Sequence, residues 1–214
     1  MDLELDTMLA LARACAPNVA PATLVAVAHT ESRFNPFAIG VNGPTPRSLY
    51  PATAEAAART AAALIAEGRS VDLGLGQINS ANLAWLNLSV ADAFDPCKNL
   101  AASARVLSAG YRPVDATPEA RQSALRIAFS LYNTGDPSRG FRNGYVAKVE
   151  RSADLLAPRM PADAVTADLA GAAPVPIGAI TLTAEIEPPS WDVFGRASRS
   201  PLFIFTASRS QAAP

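Results

Sequence analysis

Proline stands at the ends of the apolar, alanine-rich segments of this chain rather than inside them. Inside a helix it deletes a hydrogen bond and collides with the preceding turn, but at the first helical position its missing N–H costs nothing. This punctuation commits the first three quarters of the chain to a succession of helices. Asp6 is placed to cap a helix over about 6–16 that Pro17 stops. Pro21 opens a second helix reaching about 34, before Pro36. An alanine-rich helix over about 53–67 ends at Gly68, the natural left-handed cap. Asp95-Pro96 opens a helix ending near Gly110, Thr117-Pro118 one ending near Tyr132, and a last helix covers about 143–157. Gly40, Gly43, Pro44, Pro46 and Pro51 give residues 35–51 the composition of a loop. Residues 71–79 read as a short strand or hairpin around Gly74 and Gly76. The expected fold is mainly α, with this hairpin as its β component.

After residue 157 the texture changes. Residues 158–214 hold eight of the eighteen prolines, with Ala- and Ser-rich stretches and no sustained periodicity. They read as a mostly disordered tail following a folded body over 1–157. Residues 180–186 alternate like a strand, and the run from Trp191 to Phe205 carries aromatics. Such a tail either binds a partner or is an inert extension.

Composition narrows the function. The 214 residues carry 18 basic and 19 acidic groups, a net charge of -1. No basic excess is available to hold a phosphate backbone, so nucleic acid is not an expected partner. No apolar run approaches the length of a membrane span. Two cysteines and one histidine cannot supply a four-ligand zinc site, and no metal is expected. Cys15 and Cys97 form no C-x-x-C pair. They are either two buried thiols or one long-range disulfide, and a disulfide implies an oxidising compartment. The first six residues, Met1 to Asp6, are acidic where a secretory signal is basic, and no apolar core follows them. Either a presequence is missing, the start is misplaced, or export takes another route.

Three short motifs carry the chemistry. On the second helix Leu24, Val27, Ala28 and Glu31 share one face. A carboxylate ending an apolar stripe resists ionisation, which suits a general acid near neutral pH. Taken alone, Glu31 at a helix end is better explained as reaching solvent and pairing with Arg33 or another base. The run from Asp72 to Ser80 includes Gly74-Leu75-Gly76-Gln77, whose alternate glycines admit close approach by a ligand or by another chain segment. Gln77 and Asn79 offer amides suited to sugar hydroxyl and acetamido groups. Leu131-Tyr132-Asn133-Thr134-Gly135 ends an apolar helix, where Asn133 and Gly135 serve as helix stops and Tyr132 as core. His29, the only histidine, is two residues from Glu31 and therefore on another face of the helix. It is read as a packed or surface residue.

In order, Glu31-Ser32, Gly74-Leu75-Gly76-Gln77 and Tyr132-Asn133-Thr134-Gly135 resemble the catalytic domain of lytic transglycosylases, lysozyme-like enzymes that cut peptidoglycan. Residues 7–157 resemble most the branch associated with bacterial type IV secretion systems, including the stretches from Asn35 to Gly43 and from Phe94 to Leu100. The resemblance implies a lysozyme-like α+β domain that cleaves the β-1,4 bond between N-acetylmuramic acid and N-acetylglucosamine without water. It implies that Glu31 is acid and then base, that Ser32 supports it, and that Gln77, Tyr132 and Asn133 orient the sugars. It also implies a Cys15–Cys97 disulfide, a periplasmic location, no cofactor, and a monomer that meets glycan strands and secretion-channel proteins. One departure is Gly76, where many relatives carry methionine, so a floor contact to the sugar is expected to be missing.

Asp72 stands apart. The pattern Asp72-x-Gly74-x-x-Gln77-Ile78-Asn79-Ser80 is similar to the stretch of hen-type lysozyme that carries its second catalytic carboxylate. Asp72 is then either a second carboxylate facing Glu31 or a cap on the turn before Gly74. Two rival functions remain at this level: a muramidase that uses water, and a non-catalytic peptidoglycan-binding assembly factor.

Overall fold

A computed structural model describes residues 2–161 and residue 164. The tail read over 158–214 lies almost wholly outside the described residues, as do the 180–186 and 191–205 patches. The helices are α1 Leu5–Cys15, α2 Pro21–Ser32, α3 Ala54–Ala66, α4 Leu83–Leu86, α5 Pro96–Gly110, α6 Pro118–Thr134, α7 Arg139–Arg142 and α8 Tyr145–Leu156. The strands are β1 Ile39–Val41, β2 Arg47–Leu49, β3 Val71–Leu73 and β4 Ile78–Asn79. The result is a lysozyme-like α+β fold with helices dominant.

The expected caps mostly appear. Thr53, Asp95 and Thr117 each accept a backbone N–H of the helix they precede, and Pro96 and Pro118 occupy its first turn. Gly135 ends α6 in the left-handed conformation. Two details differ. Glu4, not Asp6, precedes α1, and its side chain makes no cap bond; Asp6 lies inside the first turn, where a carboxylate still favours the positive end of the helix dipole.

The second difference is larger. The region expected as loop, 35–51, contributes two strands, so the single hairpin is one edge of a four-stranded antiparallel sheet ordered β2-β1-β3-β4. Ile39, Gly40 and Val41 pair with Leu73, Asp72 and Val71, while Asp72 pairs with Asn79 on the other side. Three-residue strands flanked by Gly and Pro carry too short an alternation to be read from sequence.

Two cores result. The first packs α1, α5, α6 and α8 around α2, and extends beyond α8 to Met160 and Ala164. α2 is buried on every side from Ala22 to Ala28, as befits a central helix apolar all round rather than striped. The second core lies under the sheet, built from Ile39, Val41, Val71, Leu73, Ile78 and Phe94 with α3 and part of α5. Tyr132 packs against both, so the end of α6 stands at their junction. A disulfide between Cys15 and Cys97 ties the end of α1 to the start of α5.

Candidate active site

Glu31 lies on the last turn of α2, which ends abruptly because Arg33 and Phe34 both adopt left-handed backbone, at φ 56° and 69°. Non-glycine residues rarely sit there, and consecutive ones are held only by surrounding structure. Here the holding contacts are Leu3 N–H donating to Phe34 O at 2.9 Å and Ser32 Oγ donating to Leu75 O at 2.8 Å. Ser32 therefore acts by fastening the end of α2 to the glycine loop, with its hydroxyl committed to backbone.

The Glu31 carboxylate accepts a hydrogen bond from the Tyr145 hydroxyl at 2.5 Å. Burial pushes its pKa up from 4.5 to about 7; the Tyr145 hydrogen bond works against this, the negative charge of Asp72 adds to it, and the positive charge of Lys148 opposes it. A carboxyl group with that pKa is partly protonated at neutral pH, the condition for giving a proton and then taking one back. Tyr145, at the start of α8, was not singled out in the sequence, where it reads as one more apolar residue of an amphipathic helix. Burial raises its own pKa, and so does the Glu31 charge, so it stays a neutral donor.

Asp72 is carried by β3. Its two oxygens accept from Asn79 Nδ2 at 2.7 Å and Asn42 Nδ2 at 2.8 Å. Burial raises its pKa, against the pull of those two amides. Its charge is felt at both Glu31 and Tyr132. Its carboxylate is thus held by side-chain amides within the electrostatic reach of Glu31, rather than spent on capping the Gly74 turn. Asn79 holds Asp72 in place, and its own Oδ1 accepts from Ala81 N. Asn42, the residue just after β1, has no sequence signal, because only the register of β1 on β3 brings it to Asp72.

The alternate glycines accommodate another chain segment. A Cβ on Gly74 would lie 2.3 Å from Ala93 O and 2.5 Å from Asn99 Nδ2; one on Gly76 would lie 2.0 Å from Ser103 Oγ and 2.7 Å from the Tyr132 hydroxyl. Asn99, fully buried, donates to Leu73 O and Ala93 O and accepts from Gly76 N. Tyr132 donates to Gly76 O at 2.7 Å. A methionine at position 76 therefore has no room beside Ser103, which explains the departure sterically. Gly76→Ala is expected to lose about 1–3 kcal/mol from overpacking, read as a lower urea midpoint. Adding Ser103→Ala should recover part of it; recovery of nothing would place the clash elsewhere.

Gln77 also has left-handed backbone, at φ 49°, and its Nε2 donates to Ala38 O and Gly74 O. That amide joins β1 to the glycine loop instead of facing solvent. Asn133 is exposed and accepts from Asn143 Nδ2 at 3.0 Å, while Asn143 Oδ1 accepts from Tyr145 N. It touches neither Glu31 nor Asp72 among the described residues and reaches the site through the start of α8. His29 engages Ser152 Oγ through Nδ1 at 2.9 Å and Arg33 through Nε2 at 3.1 Å. It is partly buried, and burial and then Arg33 lower its pKa, so it is neutral at neutral pH. Among the described residues no group of three or more His, Cys, Asp or Glu side chains is placed to hold a metal ion.

Comparison with known proteins agrees with this geometry. Residues 8–154 match the transglycosylase SLT domain family. The chain is 42% identical over 151 residues to the protein virB1 of Agrobacterium fabrum, covering 71% of this chain and 61% of that protein. It is 42% identical over 153 residues to the type IV secretion system protein virB1 of Brucella abortus, covering 69% and 64%. It is 43% identical over 150 residues to the protein virB1 of Rhizobium radiobacter, covering 70% and 62%. The matched region thus spans less than two thirds of each of these relatives. No solved structure gives a significant match.

Proposed function

The chain belongs to the transglycosylase SLT domain family, and from that premise we propose that it is a peptidoglycan lytic transglycosylase. The observation that carries the reading is Glu31, a carboxyl held near half-protonation at neutral pH by burial, against a tyrosine hydroxyl. Glu31 gives its proton to the oxygen leaving with N-acetylglucosamine as the muramyl C1–O4 bond breaks. The resulting carboxylate then takes the proton of the muramyl 6-hydroxyl, and O6 closes on C1. The product is a 1,6-anhydromuramyl end, and no water is consumed.

Asp72 supports the cationic character that develops at the anomeric carbon, because its charge lies within reach of Glu31 and two amides fix its carboxylate. Ser32, Gln77, Asn79, Tyr132 and Asn133 position the loop and helix ends that bear the two carboxylates. The fold needs no cofactor for this chemistry. We further infer a periplasmic location, consistent with the disulfide. There it would open the cell wall locally for a secretion apparatus, a role suggested by the names of the Brucella relatives.

Mass analysis of products from purified peptidoglycan tests the reaction. Anhydro ends should dominate; reducing ends one water heavier as the main species would make the protein a muramidase, and no cleavage at all would leave a binding factor. Asp72→Asn should slow cleavage clearly, yet less than loss of Glu31 does. Full activity in Asp72→Asn would remove this aspartate from the reaction.

A further inference from the structure

The strand register sorts the sheet into two faces. Ile39, Val41, Val71, Leu73 and Ile78 turn into the second core, and Leu49 packs against it. Alternate residues of each strand face the other way. Across this second face Asn79 pairs with Asp72, Asp72 with Gly40, and Gly40 with Ser48. One row of positions thus runs from the second carboxylate to the outer strand of the sheet.

Beside Asp72 the row is low and polar. A Cβ on Gly40 would lie 2.9 Å from Gln77 Oε1 and 3.6 Å from Asp72 Oδ2, so the amide oxygen of Gln77 takes the place of a side chain there. Ser48, the next position outward, is exposed. Pro51 holds the residue before it extended, so the alternation of β2 continues past Leu49 and sets Tyr50 on the side of Ser48. Tyr50 is 66% exposed, although a tyrosine ring is largely apolar and gains by being covered. Among the described residues no hydrogen bond engages its side chain or that of Ser48.

An uncovered aromatic ring in line with a hydroxyl, an amide oxygen and a carboxylate suits carbohydrate. The C–H face of a pyranose lies on the ring, and its hydroxyls meet the polar groups. Neighbouring strands run about 4.7–4.9 Å apart, so Ser48, two strands from Asp72, lies roughly 10 Å from it, with Tyr50 beyond. One sugar ring does not span that distance, so the occupant is a chain. We propose that this face of the sheet is an outer glycan-binding site, continuous with Asp72, in which Tyr50 stacks on a sugar beyond the cleaved bond. The proposal rests on the transglycosylase reading above and adds a residue that sets affinity for the glycan strand without taking part in the chemistry.

The test uses binding as well as cleavage, with long peptide-stripped glycan strands as the probe. In a Glu31→Gln background, which prevents turnover, adding Tyr50→Ala should weaken binding of the strands roughly three- to tenfold. Tyr50→Phe, which keeps the ring, should bind them like the parent. With Glu31 intact, Tyr50→Ala should raise KM on the strands by a similar factor and leave kcat unchanged. In the Glu31→Gln protein itself, the ring signals of Tyr50 in an NMR titration should shift as strands are added. Ring signals that stay put, binding unchanged by Tyr50→Ala, or an equal loss in Tyr50→Phe would overturn the proposal. A fall in kcat with KM unchanged would do so too, because it would place Tyr50 in the reaction instead. If the parent protein binds strands in this Tyr50-dependent way yet cleaves none, the activity fails and the outer site stands.

Discussion

Glu31→Gln should abolish wall lysis, lowering the rate by ~10²–10⁴-fold, the usual worth of a positioned acid–base group. The glutamine keeps an oxygen for the Tyr145 hydroxyl but has no proton to transfer. In the parent protein kcat/KM should fall as pH rises through about 7, where the buried carboxyl of the free enzyme loses its proton. Stability should move the same way. The folded pKa, about 7, lies above the ordinary 4.5, so between those values the folded state holds a proton that the unfolded state has lost. That contribution is fully present below 4.5 and disappears as pH rises through about 7. Thermal melts of the two proteins across this window should therefore diverge, with Glu31→Gln losing less stability than the parent. Parallel melting curves would show that Glu31 is not held in its acid form, and near-normal lysis would remove it from the mechanism.

Removing the Cys15–Cys97 bond should have the largest effect on stability. The two residues are 82 positions apart, so the bond closes a long loop in the unfolded chain. Loss of such a bond typically costs about 2–5 kcal/mol. Cys15→Ser with Cys97→Ser, or the parent protein under reductant, should show a markedly lower urea midpoint. Neither cysteine bonds to a site residue, so the fraction still folded at low temperature should cleave peptidoglycan at the parent's specific rate. An unchanged midpoint would mean that the packing of α1 on α5 suffices without the bond.

Much of the architecture was legible because its signals are local. Prolines at helix starts, threonine and aspartate caps, and glycine at helix ends report interactions within four residues, and α3, α5 and α6 fall where those signals place them. β1 and β2 carry no legible signal because three residues among glycines and prolines show no period; β2 pairs only with β1, and β1 is seated in the sheet by β3 far along the chain. The same division runs through the site. The order of the Glu31, Gly74–Gln77 and Tyr132 motifs pointed to a family, and a carboxylate ending an apolar stretch pointed to a shifted acid.

What touches those groups could not be read from their neighbours in sequence. Tyr145 meets Glu31 because α8 packs against α2. Asn42 meets Asp72 because β1 pairs with β3 in one register. Ser32, expected to support the acid, and Gln77 and Asn79, expected to offer amides to sugars, spend donors on the protein's own backbone or on Asp72. The physical reason is that a buried polar group must find a partner. By itself the sequence determined which groups can ionise and where the chain turns. Only the tertiary structure decided how far each carboxylate is withdrawn from water and which amide, hydroxyl or charge it then meets; burial raises the proton affinity on which the proposed chemistry depends, and the hydrogen bonds temper it.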